Sequence, residues 1–341
     1  MSRIERLVGG RTDLLPIEEI LGKHDWLLQR GMQCVLSPDS DGLLCALFMS
    51  HFLDWEVVGF YDGKVAVIRE GVSCYAPTTV FLDMEVYRRG VRSIGHHMVR
   101  YSNRHEPATW GNFQDCIQPN NLRNYDFRSN FRAKYPLATI HLLLALLGRE
   151  LRVKLPISAL PPLLFTDGTF NVLYSYPENV IDWLRYLRVG EDGDPLASIF
   201  LNDHLSVYST MLAMHKFFRA RDEMSIPGQR GDRLRISTSR GEPFNLVPSE
   251  SGLFEVALDA RARILDFAAL LAEGTGWKLR EAQWSFEGLR IYTFTKSSFS
   301  SERWRLNGDN YRAMIADTPL SWAITSGQEL EFTLEGPAKL P

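Results

Sequence analysis

The sequence predicts an α/β fold: a mostly parallel sheet flanked by helices, with a second, smaller α/β domain after it. Three observations lead there. Short apolar runs at residues 33–36, 55–61 and 80–82 alternate with segments of helical or turn character. Several apolar runs stop at an aspartate, namely near Asp39, at Asp83 and at Asp167. The chain has 341 residues, more than one hydrophobic core usually serves, so two domains are expected.

Each element follows in order. Pro16 suits the start of an amphipathic helix over residues 16–30, with Ile17, Ile20, Leu21 and Leu27 on one side. The run at 33–36 meets the acidic turn Ser37-Pro38-Asp39-Ser40-Asp41-Gly42, and an apolar segment of helical character follows to Leu53. Residues 55–61 read as a second buried strand, ended by Asp62-Gly63; residues 80–82 read as another, met at once by Asp83. From Arg100 to Lys134 the chain is polar and rich in Asn, Arg and aromatics, which reads as a long loop of the functional kind.

A helix is expected at 137–147, then a proline-punctuated link (Pro156, Pro161, Pro162) and an apolar run, Leu163-Leu164-Phe165, ending at Asp167. Helices near 178–187 and 203–221 complete a first domain, residues 1–222. Residues 223–243 carry Pro227-Gly228, Gly231-Asp232 and Gly241 and read as a linker, with a strand possible at 234–237. The remainder, 244–341, is expected to be the smaller domain, a platform for substrate or partner.

The composition bounds the function. Hydrophobic content of 45% and charged content of 23% are ordinary for a globular protein. A net charge of −3 excludes a chain coated in positive charge and leaves room for a local basic groove. Cys34, Cys45, Cys74 and Cys116 lack CxxC spacing, so buried thiols are expected rather than zinc or disulfides. The first residues have no apolar core of a signal peptide, and residues 137–147 are too short an apolar run to span a bilayer. A soluble, cytoplasmic protein without membrane contact is expected.

Two aspartates one residue apart in a turn repel each other unless a cation lies between them. The plainer reading is an Asx-type turn in which Asp39 or Asp41 caps the following helix. Further along stand Asp83, the pair His96-His97 and Asp167. Aspartates at the carboxyl ends of neighbouring parallel strands face one crevice. Carboxylate oxygen mixed with imidazole suits manganese or another first-row divalent ion better than magnesium alone.

These motifs, in this order, resemble the DHH phosphoesterase superfamily, which includes RecJ-like exonucleases, short-oligoribonucleotide nucleases and cyclic-dinucleotide phosphodiesterases. Asp39-Ser40-Asp41-Gly42 is similar to its first motif and Phe81-Leu82-Asp83 to its second. Gly95-His96-His97 resembles the Asp-His-His signature, and Thr166-Asp167-Gly168-Thr169-Phe170 resembles the fourth motif. The resemblance covers roughly residues 30–190. It implies metal ligation by Asp39, Asp41, Asp83, His96 and Asp167, one or two manganese or magnesium ions, and contact of His97 with the substrate phosphate. Asp83 and His97 would then be the catalytic pair. The chain departs from the pattern at Val35, where many members carry a histidine, at Ser37, and at Gly95, where the signature aspartate is absent.

Arg100, Arg123, Arg128 and Arg132, interleaved with Tyr101, Trp110, Phe113, Tyr125, Phe127 and Phe131, form the combination that binds single-stranded nucleic acid or a small nucleotide. A loop pinned by buried aromatics explains the same pattern. A second basic stretch, Arg230, Arg233, Arg235 and Arg240, could flank the same groove. Two rival functions stand beside hydrolysis. One is a DHH-type scaffold or sensor that has lost catalysis and works through a protein partner. The other is a PP-loop ATP pyrophosphatase, disfavoured because Pro38 and Asp39 fall where that loop needs phosphate-cradling glycines.

Overall fold

The computed structural model describes residues 12–104, 108–130, 133–226, 231–299, 308–326 and 329–341. After a short helix, α1 (Ile17–Lys23), the chain enters strand β1 (Gln33–Leu36) at the centre of the main sheet. Cys34, Val35 and Leu36 are fully buried, as a strand covered on both faces requires. Helix α2 (Ser40–Leu53) crosses to β2 (Glu56–Tyr61), which turns back antiparallel into β3 (Val65–Arg69). Strand β4 (Thr79–Leu82) then returns to the other side of β1, followed outward by β5 (Arg92–Ile94) and β6 (Cys116–Ile117), all parallel.

The chain thus leaves β1 in one direction and comes back on the opposite side. That reversal opens a crevice at the carboxyl ends of β1 and β4, the place where open α/β sheets build their sites. Helix α3 (Thr139–Leu147) packs against α2 on one face of the sheet. Beyond it come α4 (Leu160–Phe165), α5 (Thr169–Ser175), α6 (Pro177–Tyr186) and α7 (Val207–Glu223).

The α/β class with a mostly parallel central sheet and a small second sheet is as the sequence predicts. Two details differ. The apolar run before Asp167 is helix α4, not a strand; Pro161 and Pro162 lie in its first turns, where proline is tolerated and preset for a helix. The stretch 223–243 also does not separate two sheets. Strands β7 (Leu246–Pro248), β8 (Phe254–Val256) and β9 (Leu289–Thr293) extend the main sheet, giving the order β6-β5-β4-β1-β2-β3-β9-β8-β7. Strand β9 pairs with β3 over five residues and so covers what would otherwise be an exposed edge. Helix α8 (Leu258–Thr275) packs against α2 and α4.

Among the described residues, β10 (Thr295–Phe299), β11 (Ser321–Ser326) and β12 (Glu329–Leu334) form a separate antiparallel sheet, ordered β10-β12-β11, with helix α9 (Gly308–Ala316) between β10 and β11. Its core residues Trp322, Ile324, Leu330 and Phe332 cluster with Tyr87, Met98, Val99 and Phe113 from the first half of the chain. The small sheet therefore sits beside the carboxyl ends of the central strands. No helix among the described residues is long and apolar enough to cross a membrane.

Candidate metal centre

Asp39 and Asp41 stand where β1 passes into α2. A Cβ on Gly42 would lie 2.0 Å from the Ser37 carbonyl oxygen, so only glycine lets the helix begin this tightly over the strand end. Asp39 is the N-cap residue: Oδ1 accepts from the Gly42 amide at 3.4 Å, and Oδ2 lies 3.5 Å from the Arg233 guanidinium. Asp41 points inward and is fully buried. Its Oδ2 accepts from the Thr139 amide at 2.6 Å and its Oδ1 from the Ile140 amide at 3.0 Å, which caps α3 from a distant part of the chain.

Asp83 follows β4 with φ +59°, and Asp167 follows α4 with φ +49°. Both occupy the left-handed region, which aspartate enters more readily than most residues and which clusters at functional sites. Asp83 Oδ1 accepts the Thr139 hydroxyl at 2.7 Å. Its Oδ2 is buried without a hydrogen-bond partner among the described residues, an expensive arrangement for a carboxylate oxygen.

His96 and His97 follow β5, the strand next to β4. With Asp83 ionised, as it would be beside a bound cation, the Thr139 hydroxyl gives its one proton to that carboxylate and at 2.8 Å accepts from His96 Nδ1. His96 therefore carries its proton on Nδ1 and turns the lone pair of Nε2 toward Asp167 Oδ2, 3.5 Å away. Burial, reinforced by the charge on His97, holds His96 down at about 3, so the ring is neutral at pH 7. A lone pair facing a carboxylate repels unless a cation lies between them.

Two of the carboxylates are strained in the same sense, whereas at Asp167 burial is outweighed by the neighbouring histidines, which hold it below the usual range. Burial first, then the charges of Asp83 and Asp167, push Asp41 well above the usual carboxylate range. Burial and then the charges of Asp167 and Asp39 do the same to Asp83. Burial works against a charge on His97 as well, but the Glu85 carboxylate 3.5 Å from its Nδ1 outweighs it and holds the ring up at about 9.

Asp83, His96, His97 and Asp167 each offer a ligand atom, and these atoms lie within 4.8 Å of one another. Two carboxylates and two histidines at that spacing can hold a first-row divalent ion, whose binding would displace the extra proton of His97. Of the residues expected as ligands, Asp83, His96 and Asp167 thus come together. Asp41 is adjacent, with Oδ2 3.7 Å from His96 Nδ1, but both its oxygens already serve α3. Asp39 lies at the rim beside Arg233. His97, expected to meet substrate, is placed to ligate too.

The basic loop turns out to be built largely for packing. Arg123 is buried, paired with Asp182 and Asp13, and lies over the rings of Tyr125, Trp183 and Tyr186. Arg100 is buried over Trp110 and donates to Asn124. Neither is placed to receive substrate. Tyr101 and Phe127 stack with each other, Tyr101 stacks on Tyr311, and Trp110 and Phe113 meet Trp322, so these rings close the contact with the small sheet. Arg128 is exposed. Arg132 and Phe131 lie outside the described residues, as does Arg230.

The open space lies elsewhere. A cavity of about 520 Å³ sits between the acidic turn and the small sheet, with Asp39, Glu85 and His97 at its base. Lys64, Arg233, Arg235 and Lys296 line its wall together with the carboxylates of Asp39, Asp62, Glu85 and Glu331; Lys296 pairs with Glu331 at 2.6 Å and Arg233 with Asp39 at 3.5 Å. The second basic stretch signalled Arg233 and Arg235 in the sequence. Lys64 and Lys296 carried no signal, being single lysines in strand-like segments. Glu85 and Thr139 were missed as well; only the closeness of Glu85 to Asp83 hinted at it.

Comparison of the chain with family models, with curated proteins and with solved structures finds no match.

Proposed function

We propose that the chain is a metal-dependent phosphoesterase of the DHH type, cleaving phosphodiester bonds in small nucleotides or at the ends of single-stranded nucleic acid. The observation that carries this reading is the pair of unmet electron donors at one point: the partnerless Asp83 Oδ2 and the His96 Nε2 lone pair aimed at Asp167. A cation answers both. Asp83, His96, His97 and Asp167 would hold it, with manganese preferred for this donor set. A divalent ion supplies a more acidic bound water and polarises a phosphoryl oxygen.

The protein's own contribution is placement. Lys64, Arg233, Arg235 and Lys296 balance phosphate charge along the cavity wall, and Asp39 and His97 meet the reacting end. The volume favours a nucleotide or a chain end over a long stretch of strand, and the loop aromatics are engaged in packing rather than free to stack on bases. Cys34, Cys45, Cys74 and Cys116 are all free thiols, which is in keeping with a reducing compartment such as the cytoplasm.

A second reading, a scaffold or sensor without catalysis, is favoured by one observation: both oxygens of Asp41 already accept backbone amides. One experiment separates the two. Manganese is titrated by calorimetry into metal-stripped wild type and Asp83→Ala, and release of nucleotide from labelled short single strands and from dinucleotides is followed in parallel. Saturable binding and hydrolysis, both lost in Asp83→Ala, support the enzyme. Absence of binding by wild type leaves the scaffold.

A further inference from the structure

The residue before His96 is Gly95, and a Cβ built on it would lie 2.6 Å from Glu85 Oε2, 2.7 Å from Glu85 Cδ and 2.9 Å from Glu85 Cγ. These contacts are with the functional end of a side chain that cannot swing away freely. Glu85 is only 2% exposed, its Oε1 accepts from the Met98 amide at 2.8 Å, and its Oε2 lies 3.5 Å from His97 Nδ1. The space above residue 95 is therefore filled by a carboxylate that arrives from the end of β4. Position 95 must stay glycine for it to do so.

We infer that Glu85 supplies, from the neighbouring strand end, the carboxylate that residue 95 lacks, and that it acts as the positioning residue for His97. Glu85 fixes the Nδ1 side of the ring, and with it the way His97 is presented to Asp83, whose Oδ1 lies 4.0 Å from the same nitrogen, and to the cavity that His97 lines. A carboxylate behind a ligating histidine is the usual way to fix ring orientation, and its loss typically costs about ten- to a hundredfold in metal affinity. The assignment rests on the metal-centre reading for its consequence, but the contact itself does not depend on that reading. Residues 85 and 95 are thus two alternative roots for one acid group.

The test uses the full chain as wild type, Glu85→Ala, Gly95→Asp and the double variant Glu85→Ala/Gly95→Asp, each confirmed as folded by its thermal transition. Manganese affinity is measured by calorimetry. Glu85→Ala is expected to weaken binding roughly ten- to a hundredfold. Gly95→Asp alone is expected to weaken binding and lower the melting temperature, because two carboxylates contend for one space. The double variant should regain affinity to within a few-fold of wild type.

In parallel, the Nδ1 proton of His97 is followed by nitrogen–proton correlation spectra of ¹⁵N-histidine-labelled, metal-free protein. A slowly exchanging signal in wild type should vanish in Glu85→Ala and return in the double variant. A double variant no better than Glu85→Ala in either measurement overturns the inference, as does a His97 signal indifferent to residue 85. Should Glu85→Ala not fold, Glu85→Ser, which also vacates the space above residue 95, takes its place in both measurements, with the same losses expected. If wild type binds no manganese, the phosphoesterase reading falls by itself, and the metal-free spectra still decide the role of Glu85.

Discussion

Asp41 Oδ2 accepts the backbone amide of Thr139 at 2.6 Å, tying the first turn of α2 to the first turn of α3 across the site. With the Ile140 amide on Oδ1, one buried carboxylate serves two of the amides that a helix start leaves without partners. Asp41→Ala leaves both unmet in a dry environment. The expected loss is about 2–3 kcal/mol of stability, present with or without metal. Asp41→Asn keeps one acceptor and should lose about half of that. Urea unfolding of the metal-free variants checks both; an unchanged midpoint in Asp41→Ala would make the cap incidental.

Asp83 should behave in the opposite way. Its Oδ2 has no partner, and the nearby acids oppose its charge, so the metal-free fold gains little from it. Asp83→Asn removes that charge while keeping an oxygen for the Thr139 hydroxyl. Metal-free stability is expected to stay within about 1 kcal/mol of wild type or to rise. In wild type, manganese at a hundredfold excess over its dissociation constant should add about 2.7 kcal/mol. Asp83→Asn should lose that increment. Thermal unfolding with and without manganese reads both, and an undiminished increment would remove Asp83 from the centre.

Arg123 separates a structural cation from a substrate-binding one. The guanidinium is buried between Asp182 and Asp13 and faces three aromatic rings. Arg123→Ala strands Asp182, which is itself buried, and is expected to cost about 3–5 kcal/mol. Nucleotide affinity per folded molecule should not change, whereas Arg233→Ala, at the cavity rim, should weaken it with little effect on stability. Unfolding curves and equilibrium nucleotide binding provide the two readings. A selective loss of nucleotide affinity in Arg123→Ala would return that residue to the substrate site.

The α/β class was legible because β1, β2 and β4 are short apolar runs broken by turn residues, a local signal that burial on both faces enforces. The gathering of Asp83 and His96 was legible from their places after β4 and β5, since strand ends in a parallel sheet share one edge. Asp167 shows the limit: Leu163-Leu164-Phe165 is as apolar as a strand, and two prolines made it a helix. Arg123 and Trp110 show another. Composition offers cation and ring, but which group each one faces is settled by distant segments: the small sheet, some 200 residues further along, for Trp110, and helix α6 with Asp13 for Arg123. Glu85 could not be read at all, because its meaning depends on the absence of a side chain at residue 95.

His141 gives the clearest pH dependence away from the centre. The ring is fully buried on the first turn of α3, and its Nδ1 accepts from the Ala138 amide at 3.1 Å, so that nitrogen must be unprotonated in the fold. Burial chiefly pushes the imidazole from its ordinary 6.5 down to about 4. The unfolded chain therefore binds a proton that the folded chain refuses between those values. Stability from this group is complete above pH 6.5 and lost as the pH falls toward 4. The gap bounds the loss at about 3 kcal/mol. His141→Asn places an acceptor near the position of Nδ1 without the titration. Its unfolding free energy should fall less than that of wild type between pH 7 and about pH 4.5, by up to that amount. Parallel pH profiles of the two proteins would show that His141 is not the group that titrates.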